Sequence, residues 1–593
     1  MLRHLLRNKP NPLRSSQNYF GPSSLGSGPV MSTVGFGRRS FSLQVVQQET
    51  ASTEVMELRR TAHQVRHEIP RGKNRVPYDL KVGDKLHGFV VEEIERVEAF
   101  DIVAYKLEHE GTGAKWLHLD SQDTDNVFAV MFRTPPDDHT GKPHILEHLA
   151  LCGSKHYPVR DPFFNMIKRS LNTFMNAMTG SDFTIYPFSS QNAQDFRNLL
   201  SVYTDSAFLP NLSYLDFRQE GHKLEFNDAD DKQSGLKIGG VVYNEMKGAM
   251  SSPSRSFMQK VNENLFKKAQ YKYNSGGEPK YITDLKYEEL VDFHKTYYHP
   301  SNSTFFSYGD LDFKEHLKFV QEQVILPNFS RNTSLDSAIP LETQLKEPIS
   351  KLEHFMPDQM SPAETQSKLG LSFLLETVPA ENPYETFCLQ ILSQLLLEGP
   401  NTPFYKAIIE KNVAPQYCPG SGLDYYTRQA KLTLGVEGVN ESDFDKIEEV
   451  IFKTLEQVKK DGIEKELFEQ VLHEIEFSVK KTKTNTGLMY IFSMIPHAIH
   501  GGDPLCSFRI NEFSERIRKD FDQGGLFENL VDKHLLNNPH YLKLRYTPDN
   551  SVAEKEEQED KQKLSSIEAA LTEPEKEAIL EECKALKTHQ ETA

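Results

Sequence analysis

Apolar and polar residues alternate with a period of two over many segments of the first 310 residues, a pattern typical of strands that bury one face. The alternation predicts strands at 85–97, 101–119 with a turn at 111–113, 126–134, 239–243 and 301–311, and a strand pair at 172–188 with its turn near Gly180. Apolar residues three and four positions apart predict helices at 143–154, 193–208, 212–226, 244–250 and 287–298. Interleaved strands and helices indicate an α+β fold.

The same pattern returns after a linker rich in Pro, Ser and Thr at 331–350. A strand at 371–378 precedes an apolar helical stretch at 384–409, just as the strand at 126–134 precedes the stretch at 144–168. A further strand, helix and helix are predicted within 431–479. The chain therefore reads as two homologous units.

The helix at 143–154 contains the spacing H-x-x-E-H, formed by His144, Glu147 and His148. Because a helix turns by about 100° per residue, positions i, i+3 and i+4 lie on one narrow face. Two imidazoles four residues apart can hold one Zn²⁺ from the same side, and a glutamate beside them can accept a proton from the attacking water. This order reverses H-E-x-x-H and is the inverzincin pattern. It predicts a zinc hydrolase with Glu147 as general base; a chance match is the alternative.

Four longer motifs occur in the order found in one metallopeptidase family. They are FRTPPDDHTGKPHILEHLALCGSKHYPVRDPFF (132–164), NAMTGSDFTIYPF (176–188), GVVYNEMKGAM (240–250) and YYHPSNSTFFSYGDL (297–311). With them the chain resembles the presequence protease branch of the pitrilysin and insulinase (M16) metallopeptidases, and NEMKG distinguishes this branch from insulysin and the processing peptidases. The resemblance implies two pitrilysin-type α/β units, of mostly antiparallel sheet packed with helices, followed by a helical hairpin.

A third zinc ligand is expected from elsewhere in the first unit, because catalytic zinc sites use three protein ligands and a water. We expect Glu245 of NEMKG, which stands between a predicted buried strand and a helix and matches the family's zinc glutamate. Glu225 and Glu220 are alternatives, and Glu225 follows His148 by the 77 positions seen in insulysin-like relatives. If Glu245 is the ligand, Glu220 or Glu225 is expected to orient a histidine. The prediction is one Zn²⁺ per chain.

The resemblance also implies a substrate-binding edge strand formed by Asn176, Ala177, Met178 and Thr179. Such a strand pairs with an extended peptide through main-chain hydrogen bonds and shows little sequence preference. Without the resemblance, these residues would be read as a structural strand before the turn at 180–181.

The second unit is expected to be inactive. When Gly399 is aligned with Gly153, its helix carries different residues at the three motif positions. In place of His144, Glu147 and His148 it has Gln390, Ser393 and Gln394.

Charge and cysteine content narrow the class of partner. The formal net charge of −17 disfavours nucleic acid, whose phosphates an acidic surface repels, and suits basic peptides, although most of this charge is expected to be solvated surface. No run of 18 apolar residues is present, so no membrane span is predicted. Five scattered cysteines, none in a C-x-x-C pair, indicate a reducing compartment and no thiolate zinc site.

The first 48 residues are basic and rich in serine, and no acidic residue precedes Glu49. This composition is typical of an organelle transit peptide, with a disordered basic tail as the alternative. We expect a protein of the mitochondrial matrix. The predicted parts are a disordered transit peptide (1–48), a mobile lead-in (49–78), a catalytic zinc metallopeptidase domain (79–330), a linker (331–350), an inactive homologous domain (351–548) and a charged helical hairpin (549–593) broken at 572–574.

The favoured function is an ATP-independent zinc endopeptidase that degrades cleaved mitochondrial presequences and other short, unstructured, basic peptides. In the resembled family a C-terminal half supplies Arg and Tyr groups that steady the reacting carbonyl, and no motif in these 593 residues supplies that pair. We therefore expect an intact zinc site with weak or absent activity unless a C-terminal half is supplied in trans. A truncated form, a short form or half of a split enzyme would each fit. The alternative is a non-catalytic peptide-binding or regulatory half; a processing peptidase is disfavoured by NEMKG.

Overall fold

The computed structural model describes residues 78–228, 231–358, 362–481 and 484–591. The predicted transit peptide and all but the last residue of the predicted lead-in lie outside the described residues. The strands are β1 (Lys85–Leu86), β2 (Phe89–Val97), β3 (Ile102–His109), β4 (Lys115–Asp120), β5 (Asn126–Arg133), β6 (Asn172–Met175), β7 (Met178–Thr179), β8 (Phe183–Ser190), β9 (Lys223–Asp228), β10 (Asp231–Gly239), β11 (Ser303–Gly309), β12 (Ile349–Phe355), β13 (Ser367–Leu374), β14 (Gln416–Tyr417), β15 (Gly422–Asp424), β16 (Lys431–Val439) and β17 (Tyr541–Pro548).

The helices are α1 (Lys142–Ala150), α2 (Pro162–Arg169), α3 (Ala193–Phe208), α4 (Tyr214–Glu220), α5 (Val241–Met250), α6 (Pro253–Leu265), α7 (Pro279–Ile282), α8 (Tyr287–Tyr297), α9 (Phe313–Phe319), α10 (Leu326–Asn328), α11 (Pro383–Leu397), α12 (Phe444–Asp461), α13 (Lys465–Lys480), α14 (Thr486–Ala498), α15 (Ile510–Gln523), α16 (Leu526–Val531), α17 (Ser551–Ala570) and α18 (Glu573–Glu591). Three π-helical stretches accompany them, at Val320–Ile325, Tyr405–Ile409 and Asp532–Leu536. No helix in these described ranges is both long and apolar enough to cross a bilayer.

The first sheet has the strand order β1-β2-β3-β4-β11-β5-β8-β6, and β7 also pairs with β8. Neighbouring strands are antiparallel except β4 and β11, which are parallel. Every residue of β8 is buried, and so is every residue of β5 except the last. These central strands read as continuous apolar runs because both faces of the sheet are covered.

The second sheet repeats the central part of the first. Its order is β12-β17-β13-β16-β14, and β15 also pairs with β16. The outermost pair, β12 and β17, is parallel and the others are antiparallel, as in the series β4-β11-β5-β8. Helix α11 follows β13 as α1 follows β5. The predicted α+β fold with two homologous units is therefore confirmed; β12 begins at Ile349, two residues before the predicted boundary.

Each unit contributes one helix to the outer face of the other unit's sheet. On α14, Ile491 and Met494 are buried against the first sheet. On α6, Phe257 and Leu265 are buried against the second sheet, where Gly370 leaves room for the Phe257 ring. A Cβ atom at position 370 would lie 2.7 Å from that ring. Burying such a side chain contributes roughly 2 kcal/mol, so this exchange of helices fastens the two units together.

Two predicted elements around residues 212–243 are wrong. The helix predicted at 212–226 ends at Glu220, and the chain continues as β9, which pairs with β10. A strand was also predicted at 239–243. In the structure β10 ends at Gly239, and the apolar residues after Gly240 form the first turn of α5. Gly240 has a φ of 140°, and a Cβ there would lie 2.2 Å from the Gly221 carbonyl oxygen, so the chain turns sharply at this glycine. A run as short as VVY fits either period, and the tertiary contacts decide.

The charged segment forms two helices, α17 and α18, separated at the predicted break. The pair docks on the β9–β10 hairpin of the first unit, where Leu580 is buried with Phe226 and Leu236. The helical hairpin of α17 and α18 is thus packed against the same unit that contains the H-x-x-E-H helix.

Candidate metal centre and peptide cleft

Helix α1 presents the two motif histidines, of which His144 is buried and His148 is partly buried. It begins after Gly141, whose φ is 75° and whose Cβ, if present, would lie 2.8 Å from the Gly276 carbonyl oxygen. This close approach requires glycine and presses the start of the helix against the loop at 274–278. The rings of His144 and His148 meet edge to face, with their centroids 5.0 Å apart and their planes at 81°. The predicted helix thus places both imidazoles on one face.

The His144 ring is held by its Nδ1 atom, which donates a hydrogen bond to the Gly276 carbonyl oxygen at 3.1 Å. Its Nε2 atom is buried and has no hydrogen-bond partner among the described residues. Glu245 Oε2 lies 3.8 Å from this nitrogen. Burial lowers the pKa of His144, which favours the neutral ring with a lone pair on Nε2. A buried nitrogen of this kind is suited to bind a metal.

The His148 ring is held in the same way by a carboxylate. Its Nδ1 atom donates to Glu220 Oε2 at 3.1 Å, and its Nε2 atom lies 3.8 Å from Glu245 Oε2. Although burial opposes the charged form, the hydrogen bond and charge of Glu220 raise the pKa of His148 to about 9. Burial alone would raise the pKa of the Glu220 carboxyl, but the His148 contact lowers it. A carboxylate bonded to Nδ1 is the usual partner of a metal-binding histidine.

Glu245 completes the group from α5, in the second turn of the helix rather than at its start. The ligand atoms of His144, His148 and Glu245 lie within 4.8 Å of one another. Zinc binds nitrogen and carboxylate oxygen at about 2.0–2.2 Å, so one ion can reach two atoms that are 3.8 Å apart. The three predicted ligands therefore lie together in a set that fits zinc, although Glu245 follows His144 by 101 positions along the chain.

The alternative ligand Glu225 lies outside this group. It is on β9, where its carboxylate contacts Lys223 at 3.2 Å and Lys237 at 3.4 Å. Glu220 instead contacts His148, the orienting role that was predicted for Glu220 or Glu225.

Glu147 lies on the same face of α1 and is buried. Its Oε2 atom accepts a hydrogen bond from the Thr179 hydroxyl at 2.6 Å. The predicted base is thus joined to the predicted substrate strand, a contact that sequence reasoning did not foresee.

The segment predicted as an edge strand is interrupted in the structure. Met178 and Thr179 form β7 and pair with β8, whereas Asn176 and Ala177 lie between β6 and β7. The Asn176 amide still donates to the Pro187 carbonyl oxygen at 3.2 Å. The strand is shorter than predicted because the register shifts within β6 and the ladder stops before it resumes at Met178. It nevertheless lies on the outer side of β8, at an edge of the first sheet.

A second group of ligand-type side chains consists of His139, Glu263 and Glu278. Here the Lys260 ammonium already lies 2.8 Å from Glu263, and the Asn274 side chain donates to Glu278 at 2.8 Å. These carboxylates have donors within the protein, unlike His144 Nε2. The first group is therefore the stronger candidate for a metal.

Known proteins resemble the chain over both units. The family model described as insulinase (peptidase family M16) matches residues 133–252, and the model described as peptidase M16 inactive domain matches 284–475. "Presequence protease, mitochondrial" of Xenopus laevis is 41% identical over 84% of this chain, and that of Mus musculus is 42% identical over 84%. The chain belongs to peptidase family M16. It spans about half the length of these relatives, 48% in both cases.

Solved structures agree on the M16 fold. A protease from Helicobacter pylori has a TM-score of 0.58 and 14% identity, with 75% of this chain and 99% of that chain covered. Pitrilysin has a TM-score of 0.53 and 15% identity, with 78% of this chain and 46% of that chain covered. Membership of this metallopeptidase family implies a metal cofactor, and the group of His144, His148 and Glu245 is the one that fits it best.

The metal group of this M16 chain opens on a cleft that both units line. The cavity has a volume of about 210 Å³, and His144 and Glu245 are among the residues that line it. Met250 and Met258 of the first unit and Tyr426 of the second contribute to its wall. The second unit has no group of three ligand-type side chains within the part of the chain that the structure describes, yet it lines the cleft. Sequence reasoning missed this, because the wall at 419–433 carries no motif.

Proposed function

We propose that this chain is the catalytic part of an ATP-independent zinc endopeptidase that cleaves short, unstructured peptides. The substrates are cleaved mitochondrial targeting presequences and other basic peptides, and the compartment is the mitochondrial matrix. The relatives named as mitochondrial presequence proteases support presequences as substrates and the mitochondrion as the organelle.

One observation carries the proposal. The Nε2 atoms of His144 and His148 both lie 3.8 Å from the same oxygen of Glu245, and the Nδ1 atom of each ring is already bonded to the protein. Both rings are thereby fixed with their remaining nitrogens toward one point. A purely structural helix has no need for this arrangement, nor for a buried glutamate beside it.

In this role His144, His148 and Glu245 hold one zinc ion, which when bound lowers the pKa of water and polarises the scissile carbonyl. Glu147 accepts a proton from the attacking water and passes it to the departing amine. The Thr179 hydroxyl holds Oε2 of that carboxylate. The base is thus held by β7, whereas the His148 ligand of the metal group is held by Glu220 of α4.

The substrate lies extended along the edge that contains Asn176, Ala177, Met178 and Thr179. Main-chain hydrogen bonds to this edge bind a peptide with little regard to its sequence. The formal net charge of −17 favours basic peptides over acidic ones through long-range attraction.

The test is a metal and activity measurement on the purified full chain. We expect elemental analysis to find one zinc per chain. We expect a quenched basic peptide to be cleaved weakly by the chain alone and faster when a relative's second half is added, in a reaction that a chelator stops. Glu147→Gln is expected to keep the zinc and to abolish cleavage. Absence of metal in folded protein, or near wild-type cleavage by Glu147→Gln, would refute the proposal.

A second candidate is a peptide-binding half that needs a separate C-terminal half for activity. The observation in its favour is that the matched relatives are about twice as long as the region this chain matches. It predicts one zinc per chain and saturable binding of the quenched peptide without cleavage, with cleavage restored when a relative's second half is added. Cleavage by the chain alone would exclude it.

A further inference from the structure

Helix α18 packs against the short helix α4. The last residue of α4 is Glu220, whose carboxylate orients His148. Four of the seven residues of α4 contact α18, one through a close ion pair and one through a short hydrogen bond to a histidine. Arg218 donates to Glu582 at 2.7 Å, and His589 lies 2.7 Å from Asp216. The other two contacts are weaker hydrogen bonds, from Tyr214 to Glu582 at 3.3 Å and between Gln219 and Gln590 at 3.1 Å.

Side-chain hydrogen bonds connect α18 to the metal group without a break. Gln590 donates to Gln219 Oε1 at 3.1 Å, and the Gln219 amide donates to Glu220 Oε1 at 2.8 Å. The second oxygen of Glu220 accepts from His148 Nδ1 at 3.1 Å. Arg160 ties the first step by donating both to Gln219 and to the backbone carbonyl of His589. Three successive hydrogen bonds thus link α18 to His148.

Helix α4 has limited means to hold this geometry alone. A helix of seven residues is only marginally stable by itself, and Ser213 at its start makes no side-chain capping bond. Its inner face is anchored by the buried Phe217, but its polar face is covered by α18. Arg218 and Glu582 are largely shielded, with side chains 15% and 21% exposed. A partly buried ion pair contributes more to position than an exposed one.

We propose that α18 is a positioning element for the metal centre, acting through Arg218, α4 and Glu220 to orient His148. This rests on the proposed function, in which His148 is a metal ligand. Loosening α18 is expected to weaken metal binding although the hairpin contributes no ligand.

The test compares two charge reversals on α18 of the full chain. Glu582→Lys places a cation against Arg218 and is expected to weaken Co²⁺ or Zn²⁺ binding about ten-fold, the usual effect of losing a partner that orients a ligand. Glu581→Lys is the matched control, because Glu581 contacts only Lys584 of its own helix among the contacts seen and is exposed. It should change the dissociation constant by no more than about two-fold. The charge swap Arg218→Glu with Glu582→Lys should restore binding.

A double variant decides whether the effect passes through Glu220. In a Glu220→Gln background, Glu582→Lys should weaken metal binding little further, because both changes act on the same hydrogen bond to His148. Fully multiplicative effects would overturn the proposal, and so would wild-type affinity of Glu582→Lys. If that variant does not fold, Gln590→Leu interrupts the same chain of hydrogen bonds with a milder change and is read by the same criteria.

Hydrogen exchange of the metal-free protein separates this inference from the proposed function. Glu582→Lys should speed amide exchange in α4, whereas Glu581→Lys should not. If the wild-type chain bound no metal, the proposed function would fail, and exchange would still decide whether α18 holds α4. Unchanged exchange in α4 would overturn the coupling whatever the metal content.

Discussion

The Thr179 hydroxyl donates a hydrogen bond to Glu147 Oε2 across 2.6 Å, and both side chains are buried. Glu147 lies on α1, and Thr179 on the strand at the edge of the sheet. A peptide that pairs with this strand would therefore lie beside the residue proposed as the base. The bond fixes the direction of the carboxylate before substrate arrives, which is the kind of preorganisation that proton transfer needs.

Replacing the hydroxyl tests this role. Thr179→Val removes the donor but keeps the shape, and we expect kcat to fall about 10- to 100-fold, the cost of losing one hydrogen bond to a charged group. Zinc content should stay at the wild-type level, because Thr179 is not among the proposed ligands. Thr179→Ser retains the hydroxyl and should keep most of the activity. Equal losses in the Val and Ser variants would indicate a packing role instead.

Substitutions of the three glutamates considered as ligands should lower the affinity for zinc to different extents. Glu245→Gln is expected to weaken zinc binding by more than about 100-fold, since it removes a ligand. Glu220→Gln should cost about 10- to 100-fold, because it removes only the partner of His148. Glu225→Gln should bind as the wild type does, since its contacts are with Lys223 and Lys237. Competition with a chelating dye measures all three. A larger loss for Glu225→Gln than for Glu245→Gln would reverse the assignment.

The candidate site was predictable where spacing along one element determines it. His144, Glu147 and His148 share a helix, so their common face follows from helical geometry. The contact between Glu147 and Thr179 joins residues 32 positions apart, and that between His148 and Glu220 joins residues 72 apart. Such contacts depend on the tertiary fold, which the spacing of residues within one element does not determine. Glu245 was selected by its motif although the predicted strand before it proved to be helix.

In the fold, too, features set within single elements were predictable and contacts between distant elements were not. The repeat of strand and helix was visible in the apolar pattern, and the second sheet repeats the strand order of the central part of the first. The exchange of α6 and α14 between the sheets was not predictable, because a helix that is buried by a distant unit has the same apolar spacing as one buried by its own. For the same reason the second unit's share of the cleft could not be foreseen.

The cleft next to the metal group is expected to select side chains of the peptide. Met258 contributes to its apolar wall, close to Gly420 of the second unit. Met258→Lys should lower kcat/KM for a peptide with a large apolar residue near the scissile bond about ten-fold, since a charge is costly in such a pocket. Zinc affinity should not change. Met489→Lys is the matched control, because Met489 is exposed on α14 and does not line the cleft. Equal effects of the two variants would contradict this role.

Stability of the second unit is expected to depend on pH through Glu385. Its carboxylate, at the start of α11, accepts hydrogen bonds from His534 at 2.7 Å and Lys533 at 2.8 Å. The His534 contact and then Lys533 lower the pKa of Glu385 to about 2, against 4.5 ordinarily. Because the folded pKa lies below the unfolded one, the contribution is complete above pH 4.5 and is lost as the pH falls toward 2.

Glu385→Gln should therefore lower the free energy of unfolding by about 1 kcal/mol at pH 7, a figure reduced for partial exposure of the carboxylate. The difference from the wild type should shrink at pH 3.5, where the unfolded chain already takes up the proton. Urea denaturation at the two pH values measures this. Glu381→Gln, an exposed position four residues earlier, controls for the change in net charge. A difference that stays constant between pH 7 and 3.5 would show that Glu385 acts through hydrogen bonding and packing, and not through its charge.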